Sequence, residues 1–396
     1  MIDIEKTMNK KILFWKGLIA SLTVSFSLSL AIPIKAQPPF KNPLQVEKFD
    51  DPLLPKTPVQ RPLSPLEKFR LKEALDGLNQ QARENYQQGK IERAFQVWYR
   101  ELRLRQKLDF PEEVQALGRV GEIAWLENRS ADFRNIRERL RVIEEKAREN
   151  NNSELLATLA ENYEQMRELD GAIALYQGLI ENSNNPTTLL EKIAQLHADQ
   201  FHYQEAADAY EKLLAQAKPA ENTIVIINYL KQLKTWYEQA ENPQAGIETK
   251  QHLIELYQRQ NNEQALPAIM VSLGEDYVTL QQFDQASTTY QEAFRIARSQ
   301  QKYAIAAMAL ENLAQLYQNQ GSLQATLEIY EQLLIVQQQS YDHYGLMMTY
   351  DKIGEIYQDN HQPEPARSAY QKALEFARSL NYQEDYFQDK IQQLKS

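Results

Sequence analysis

The sequence predicts an all-α fold, a superhelical solenoid of stacked antiparallel helix pairs. Three observations predict it. A tyrosine returns every 40 residues, at Tyr290, Tyr330 and Tyr370. Small residues keep the same register: Gly274, Ala314 and Gly354, then Ala286, Thr326 and Ala366 twelve residues further on. Apolar residues between them follow helical spacing, as in Leu310, Leu313, Ala314 and Tyr317. Self-similarity at this period means one supersecondary unit repeated, because a single helix pair cannot bury both its faces.

From the N-terminus, residues 1–36 read as an export signal. Lys10, Lys11 and Lys16 precede the apolar stretch Leu18 to Ile34, and Ile34-Lys35-Ala36 offers a small residue before a cut at Gln37. An uncleaved version would be a membrane anchor, since the stretch sits at the lower length for spanning. Residues 37–65 form a proline-rich linker, expected to be extended and poorly packed. Its Phe40, Val46, Phe49, Leu53 and Leu54 are unusually apolar for a spacer and leave a short partner-binding segment open.

The repeats occupy residues 66–381. Their second small-residue position falls at 94, 133, 172, 206, 246, 286, 326 and 366, giving eight helix pairs. Glycine and alanine there let two helices approach closely, and the tyrosines fill the adjacent volume. Gly321 is expected to end the first helix of the seventh pair. Phe133 and Gly246 break the pattern, so pairs two and five are expected to pack irregularly. Residues 382–396 place Tyr386, Phe387, Ile391 and Leu394 on one face and read as a capping helix, which an open stack needs.

These residues resemble the tetratricopeptide repeat (TPR) family, best in Leu156-x2-Leu159-Ala160-x2-Tyr163 with Ala172-x3-Tyr176, and in Leu273-Gly274-x2-Tyr277 with Ala286-x3-Tyr290. The 40-residue spacing is similar to that of kinesin light chains. The resemblance implies that first helices line a concave groove where a protein or peptide binds. The face opposite the buried one then carries Glu154 and Glu161 on the third pair, and Glu191 and Lys192 on the fourth. It carries Asn228, Lys231 and Glu238 on the fifth, and Glu275 on the sixth. Glu311, Asn312 and Gln315 follow on the seventh, then Asp351 and Glu355 on the eighth. Amides there can bond a peptide backbone. A carboxylate clamp of the chaperone-binding kind is not expected, because Lys231 and Asn312 lack the clamp's other members.

Charge sharpens this reading. The net charge of −10 is uneven. Residues 1–65 hold 9 Lys/Arg against 5 Asp/Glu, residues 66–150 hold 18 against 16, and residues 151–396 hold 17 against 33. An acidic groove argues against nucleic acid and favours a partner with a basic segment, or cations. Arg134, Arg137, Arg139 and Arg141 interleave with Glu138, Glu144 and Glu145, the pattern of a solvated, self-paired helix face.

No catalytic motif is present: no phosphate-binding loop, no G-x-G-x-x-G, no H-E-x-x-H, no G-x-S-x-G. The chain has no cysteine, which removes thiolate chemistry and disulfides. An enzyme is not expected. His197, Asp199 and His202 form the one cluster with metal-ligand chemistry. Against a site, His197 takes the position of Tyr163 and Tyr277 and is expected to pack between helices.

The export signal, the repeats and the acidic groove are together similar to cyanobacterial periplasmic TPR assembly factors. That resemblance implies a periplasmic or thylakoid-lumen role in photosystem II assembly, with manganese as a possible cargo. A divalent-metal carrier or store, and a self-assembling structural protein joined through residues 40–54, are the alternatives.

Overall fold

The computed structural model describes residues 42–45, 50–55 and 62–394. The predicted export signal and its cut lie outside them. Among the described residues are seventeen α-helices, with three short 3-10 turns and no strand. Pair one is α1 (Pro65–Gln87) with α2 (Ile91–Arg105), and pair two is α3 (Phe110–Leu126) with α4 (Ser130–Glu149). Pair three is α5 (Ser153–Gln165) with α6 (Leu169–Leu179), and pair four is α7 (Pro186–Asp199) with α8 (Tyr203–Ala217). Pair five is α9 (Thr223–Gln239) with α10 (Pro243–Arg259), and pair six is α11 (Leu266–Thr279) with α12 (Phe283–Ser299). Pair seven is α13 (Tyr303–Asn319) with α14 (Leu323–Gln339), and pair eight is α15 (His343–Asp359) with α16 (Pro363–Leu380). A last helix, α17 (Glu384–Gln393), follows. The eight pairs are those the sequence spacing predicts.

The small residues do the work expected of them. A methyl added at Gly274 would lie 2.3 Å from Tyr290 Cε1, and one at Gly354 2.6 Å from Tyr370 Cε1. Each ring therefore lies flush on the first helix of its own pair. Ala286, Ala314 and Ala366 are fully buried.

The turns inside pairs repeat as closely. Gln282, Ser322 and Gln362 donate their backbone N–H to the carbonyls of Tyr277, Tyr317 and Tyr357 at 2.8, 2.9 and 2.9 Å. The residue before each donor is left-handed. Glycine is not required there: Gly321 fills the position once, while Gln281 and His361 fill it at φ 59° and 55°. Five other within-pair turns carry Gly89, Asn128, Arg167, Phe201 and Glu241 with positive φ. A non-glycine residue in this conformation costs roughly 1–2 kcal/mol. The capping hydrogen bond and the packing of both helices over-determine the turn.

Pairs two and five depart from the regular contact, as Phe133 and Gly246 suggest. In pair two, Gly118 and Gly121 bring α3 against α5, where Asn162 and Met166 occupy the space a side chain would need. In pair five a charged residue replaces the tyrosine, described below.

Two expectations need correction. The described pieces of the proline-rich stretch are docked. Leu44 is fully buried in the apolar cluster of the first four pairs, and its carbonyl accepts from Gln106 Nε2 at 2.6 Å. Asn42 Nδ2 donates to the Asn135 carbonyl at 2.7 Å, and Asp51 forms a two-point ion pair with Arg100 at 2.7 and 2.9 Å. Proline lacks a donor but leaves carbonyls and side chains free for such contacts. Phe40, Val46 and Phe49 lie outside the described residues. The arginines of α4 also reach beyond their own helix: Arg139 clasps the buried Glu113 of α3 at 2.6 and 3.0 Å, and Arg137 meets Glu168 at 3.2 Å.

Candidate partner-binding groove

Some successive first helices pack directly on one another. α3 packs on α5 and α11 on α13, skipping the second helix between them. Polar bonds join neighbours along the same face. Gln165 Nε2 donates to Glu122 at 2.8 Å, and Lys192 Nζ lies 3.4 Å from Glu164. Ser272 Oγ donates to Glu238 at 2.6 Å, and Asn312 Nδ2 to Glu275 at 3.1 Å.

Most of the predicted groove residues sit on this face with accessible side chains. Glu154, Glu161, Glu191, Asn228, Lys231, Glu238, Glu275, Glu311 and Gln315 are exposed, and Lys192, Asn312 and Glu355 are half-buried. Gln315 donates to Asn319 at 2.9 Å, and Glu355 accepts from Lys352 at 3.1 Å. Glu311 has an exposed edge but sits low among its neighbours; desolvation, then the nearby Asp342, raises its pKa.

Asp351 is the exception. It is 7 % exposed, because α17 lies across it. Tyr386 Oη donates to its two carboxylate oxygens at 3.3 and 3.4 Å. Burial, then the charge of Glu355, raises its pKa to about 6, with Lys390, Tyr386 and Lys352 opposing. Sequence register alone put Asp351 in the groove, since it stands 40 residues after Glu311. The cap's footprint is a tertiary fact.

The metal cluster does not assemble. Asp199 accepts from Gln195 at 2.8 Å and faces Arg167 at 3.7 Å. His197 is half-buried, its Nδ1 has no hydrogen-bond partner, and burial lowers its pKa. His202 stands at the N-terminal cap of α8, its ring 6.2 Å from that of His197. Among the described residues no group of three or more His, Cys, Asp or Glu is placed to hold a metal ion.

Two features escaped the sequence reading. The first is a buried charge network in pair five. Lys250 is fully buried, with Nζ 2.6 Å from Asp276, 3.2 Å from Glu238 and 3.4 Å from the Ser272 carbonyl. Lys234 meets Glu238 at 2.9 Å. Burial raises the Asp276 pKa, and Lys250 recovers only part of that. Glu238 is held below its ordinary value: burial opposes this, but Ser272, Lys234 and Lys250 outweigh it. Gly246 is needed because Asp276 Oδ2 would lie 2.8 Å from a methyl there. The second is the contact of Tyr176, whose Oη donates to Glu164 at 2.9 Å and lies 3.1 Å from Lys192 Nζ. A lysine forty residues before Tyr290, at the position of a periodic tyrosine, was the available signal for the first.

The family comparison adds to this geometry. Residues 305–379, which cover nearly all of pairs seven and eight, match the family model described as tetratricopeptide repeat. No curated protein matches the chain by sequence. Among solved structures, the chain is similar to BtubC (BKLC) from P. vanneervenii, at 17% identity and TM-score 0.39, over 54% of this chain and 92% of that one. It is similar to the C-terminal part of a TPR repeat-containing protein from Cytophaga hutchinsonii, at 15% identity and TM-score 0.39, over 65% and 95%. A MamA protein matches at 20% identity and TM-score 0.37, over 50% and 94%. Nothing about partners follows from these likenesses. TPR proteins in general mediate protein–protein interaction and are typically non-enzymatic scaffolds.

Proposed function

We propose that this protein is a non-enzymatic interaction scaffold that binds a partner protein through a basic segment laid along its first helices. The observation that carries the reading is the set of accessible carboxylates that recur on first helices from Glu154 to Glu355, on a region with 17 Lys/Arg against 33 Asp/Glu. Clustered carboxylates raise the local concentration of a cationic segment and speed its encounter. Asn228, Asn312 and Gln315 add amides that can bond an extended backbone. The test is capture of partners from a native envelope fraction, with Glu275, Glu311 and Glu355 all reversed to lysine. The triple variant is expected to keep its helicity, lose its partner and flatten the salt dependence of binding. Unchanged affinity at low salt would overturn the reading.

The finer proposal is an exported assembly factor of the periplasm or thylakoid lumen, acting on photosystem II and delivering manganese. It rests on the signal-like residues 1–36 and the acidic groove, in the manner of the processing-associated TPR protein. Mass spectrometry of the native N-terminus tests export. Equilibrium dialysis against Mn²⁺ tests metal carriage, and saturable binding at more than one site is the outcome a metal carrier requires.

A further inference from the structure

The proline-rich stretch meets the repeats through one turn used twice. Asn42-Pro43-Leu44-Gln45 and Asp51-Pro52-Leu53-Leu54 stand nine residues apart. In each, the first side chain accepts the backbone N–H two residues on, from Leu44 at 2.9 Å and from Leu53 at 3.0 Å. In each, the first carbonyl accepts the following N–H, from Gln45 and from Leu54, both at 2.9 Å. Proline at the second position presets φ for such a turn, and an Asn or Asp before it closes the turn with its side chain.

The two turns land on successive second helices. Asn42 Nδ2 donates to the Asn135 carbonyl of α4 at 2.7 Å and to Glu138 at 3.3 Å. Asp51 accepts from Arg100 Nε and Nη2 of α2 at 2.7 and 2.9 Å. Gln106 Nε2, just past α2, donates to the Leu44 carbonyl at 2.6 Å. Leu44 itself is fully buried, in the apolar cluster that holds Phe95, Trp98 and Ile136. The surface thus reads a rigid turn, a polar side chain before its proline and a leucine after it. At 39-residue steps Arg100 is followed by Arg139 and Gly178. Arg139 is committed to the buried Glu113, and Gly178 has no side chain, so among the first three pairs only Arg100 meets a turn.

The fit is uneven. Leu44 has no exposed surface, whereas its counterpart Leu53 is 37 % exposed. Beside the second turn lies an open cleft of about 330 Å³, lined by Pro52, Leu54 and Pro55 and by Leu63, Arg70 and Leu71. The first turn is seated by a buried leucine and three hydrogen bonds to the repeats. The second is held by the Arg100 ion pair and leaves apolar surface beside it unfilled.

We propose that the second helices of pairs one and two form a second interaction surface, specific for an Asn/Asp-Pro-Leu turn. The chain's own turns at 42–45 and 51–54 occupy it in cis, and a partner protein presenting the same turn takes it over. This surface is separate from the first helices, so it stands whether or not the groove reading holds. A tethered ligand acts at a high effective concentration, so the built-in turns set a threshold. A partner whose second turn fills the open cleft passes it.

The probe is a fluorescently labelled peptide of residues 42–55, added to the full chain and read by anisotropy. A released variant, Leu44→Asp with Asp51→Ala, is expected to keep its helicity and to bind the peptide at least about tenfold more tightly than the parent chain, whose site is filled. Adding Arg100→Glu to the released variant is expected to abolish binding, and a peptide carrying Asp51→Arg to restore it. A peptide carrying Leu44→Asp is expected not to bind. Equal affinity of the parent chain and the released variant would overturn the proposal. So would a loss on Arg100→Glu that the charge-reversed peptide does not restore. A released variant that loses its helicity would make the turns a fixed part of the fold and also overturn it. Hydrogen exchange of the parent chain decides that last point independently. The amides of Leu44, Gln45, Leu53 and Leu54 are expected to be less protected than those inside α2 and α4, because the turns open while the helices stay closed. Equal protection would mean that the turns leave only when the pairs unfold, and the proposal falls.

Discussion

Pairs five and six occupy the same register 40 residues apart and solve the same packing problem with opposite chemistry. Pair six seats Tyr290 on Gly274, with Ala286 sealing the contact. Pair five has Lys234 at the glycine position, Gly246 at the alanine position and Lys250 at the tyrosine position. The lysine is as buried as the tyrosine, and carboxylates from two first helices, Glu238 and Asp276, surround its ammonium. An apolar rung is stable through burial and close contact alone. A charged rung depends on every partner being present, because a buried charge left alone is far more costly than a lost contact. The comparison teaches that the solenoid's geometry tolerates either rung, and in each of these two pairs a glycine, Gly274 or Gly246, makes the room.

The largest effect that would break this comparison is loss of the charge. Lys250→Ala leaves the largely buried Asp276 without its cation, while Glu238 keeps Lys234, and is expected to cost about 3–5 kcal/mol. Urea unfolding followed by circular dichroism measures it. A cost below that of Ala286→Phe would mean the network is solvated and the rung is not a true counterpart.

The cap supplies the next test, where a carboxylate again lies under a neighbouring helix but has a tyrosine in place of a lysine. The folded pKa of Asp351 is raised, so its protonated form favours the packed cap. That stabilisation is fully present below about pH 4 and is lost as pH rises through about 6. Its full size is about 3 kcal/mol, at 1.4 kcal/mol for each unit. The hydrogen-exchange protection factors of residues 384–393, with the intrinsic pH dependence of exchange divided out, are expected to rise on acidification over this window. Asp351→Asn should abolish that dependence, and an unaltered profile would contradict it.

Pair six sharpens the apolar side. Ala286→Phe should overpack the helix contact and cost on the order of 1–3 kcal/mol, with damage spreading to pairs five and seven first. A thermal midpoint equal to that of the parent protein would contradict the register. The smallest effect is expected at Arg259→Ala, on the same helix as Lys250. Arg259 and Glu255 lie 3.7 Å apart with both side chains exposed, so the change should stay within about 0.5 kcal/mol. Finding the Lys250 and Arg259 variants equally stable would remove burial as the deciding variable.

Much of this molecule was determined by sequence alone. Pair count, helix register and the contacts of Ala286 with Tyr290 follow from a repeat whose side chains must recur where the backbone recurs. The acidic face also follows, since residues opposite a buried helix face have only solvent or a partner to meet. Tertiary structure decided what periodicity cannot encode. Asp351 and Glu311 are equivalent in register, yet only Asp351 lies beneath α17. His197, Asp199 and His202 are close in sequence, yet Arg167 and Gln195 draw Asp199 to other partners. Pro43 and Pro52 flag an extended chain, yet Leu44 and Asp51 find partners on helices that lie far along the sequence. Lys250 would be an expensive residue to bury by itself, and its place became intelligible only when two neighbouring first helices brought Glu238 and Asp276 to its ammonium. Local pattern sets which face of a helix is inward; which charges meet there depends on the side chains that neighbouring elements deliver.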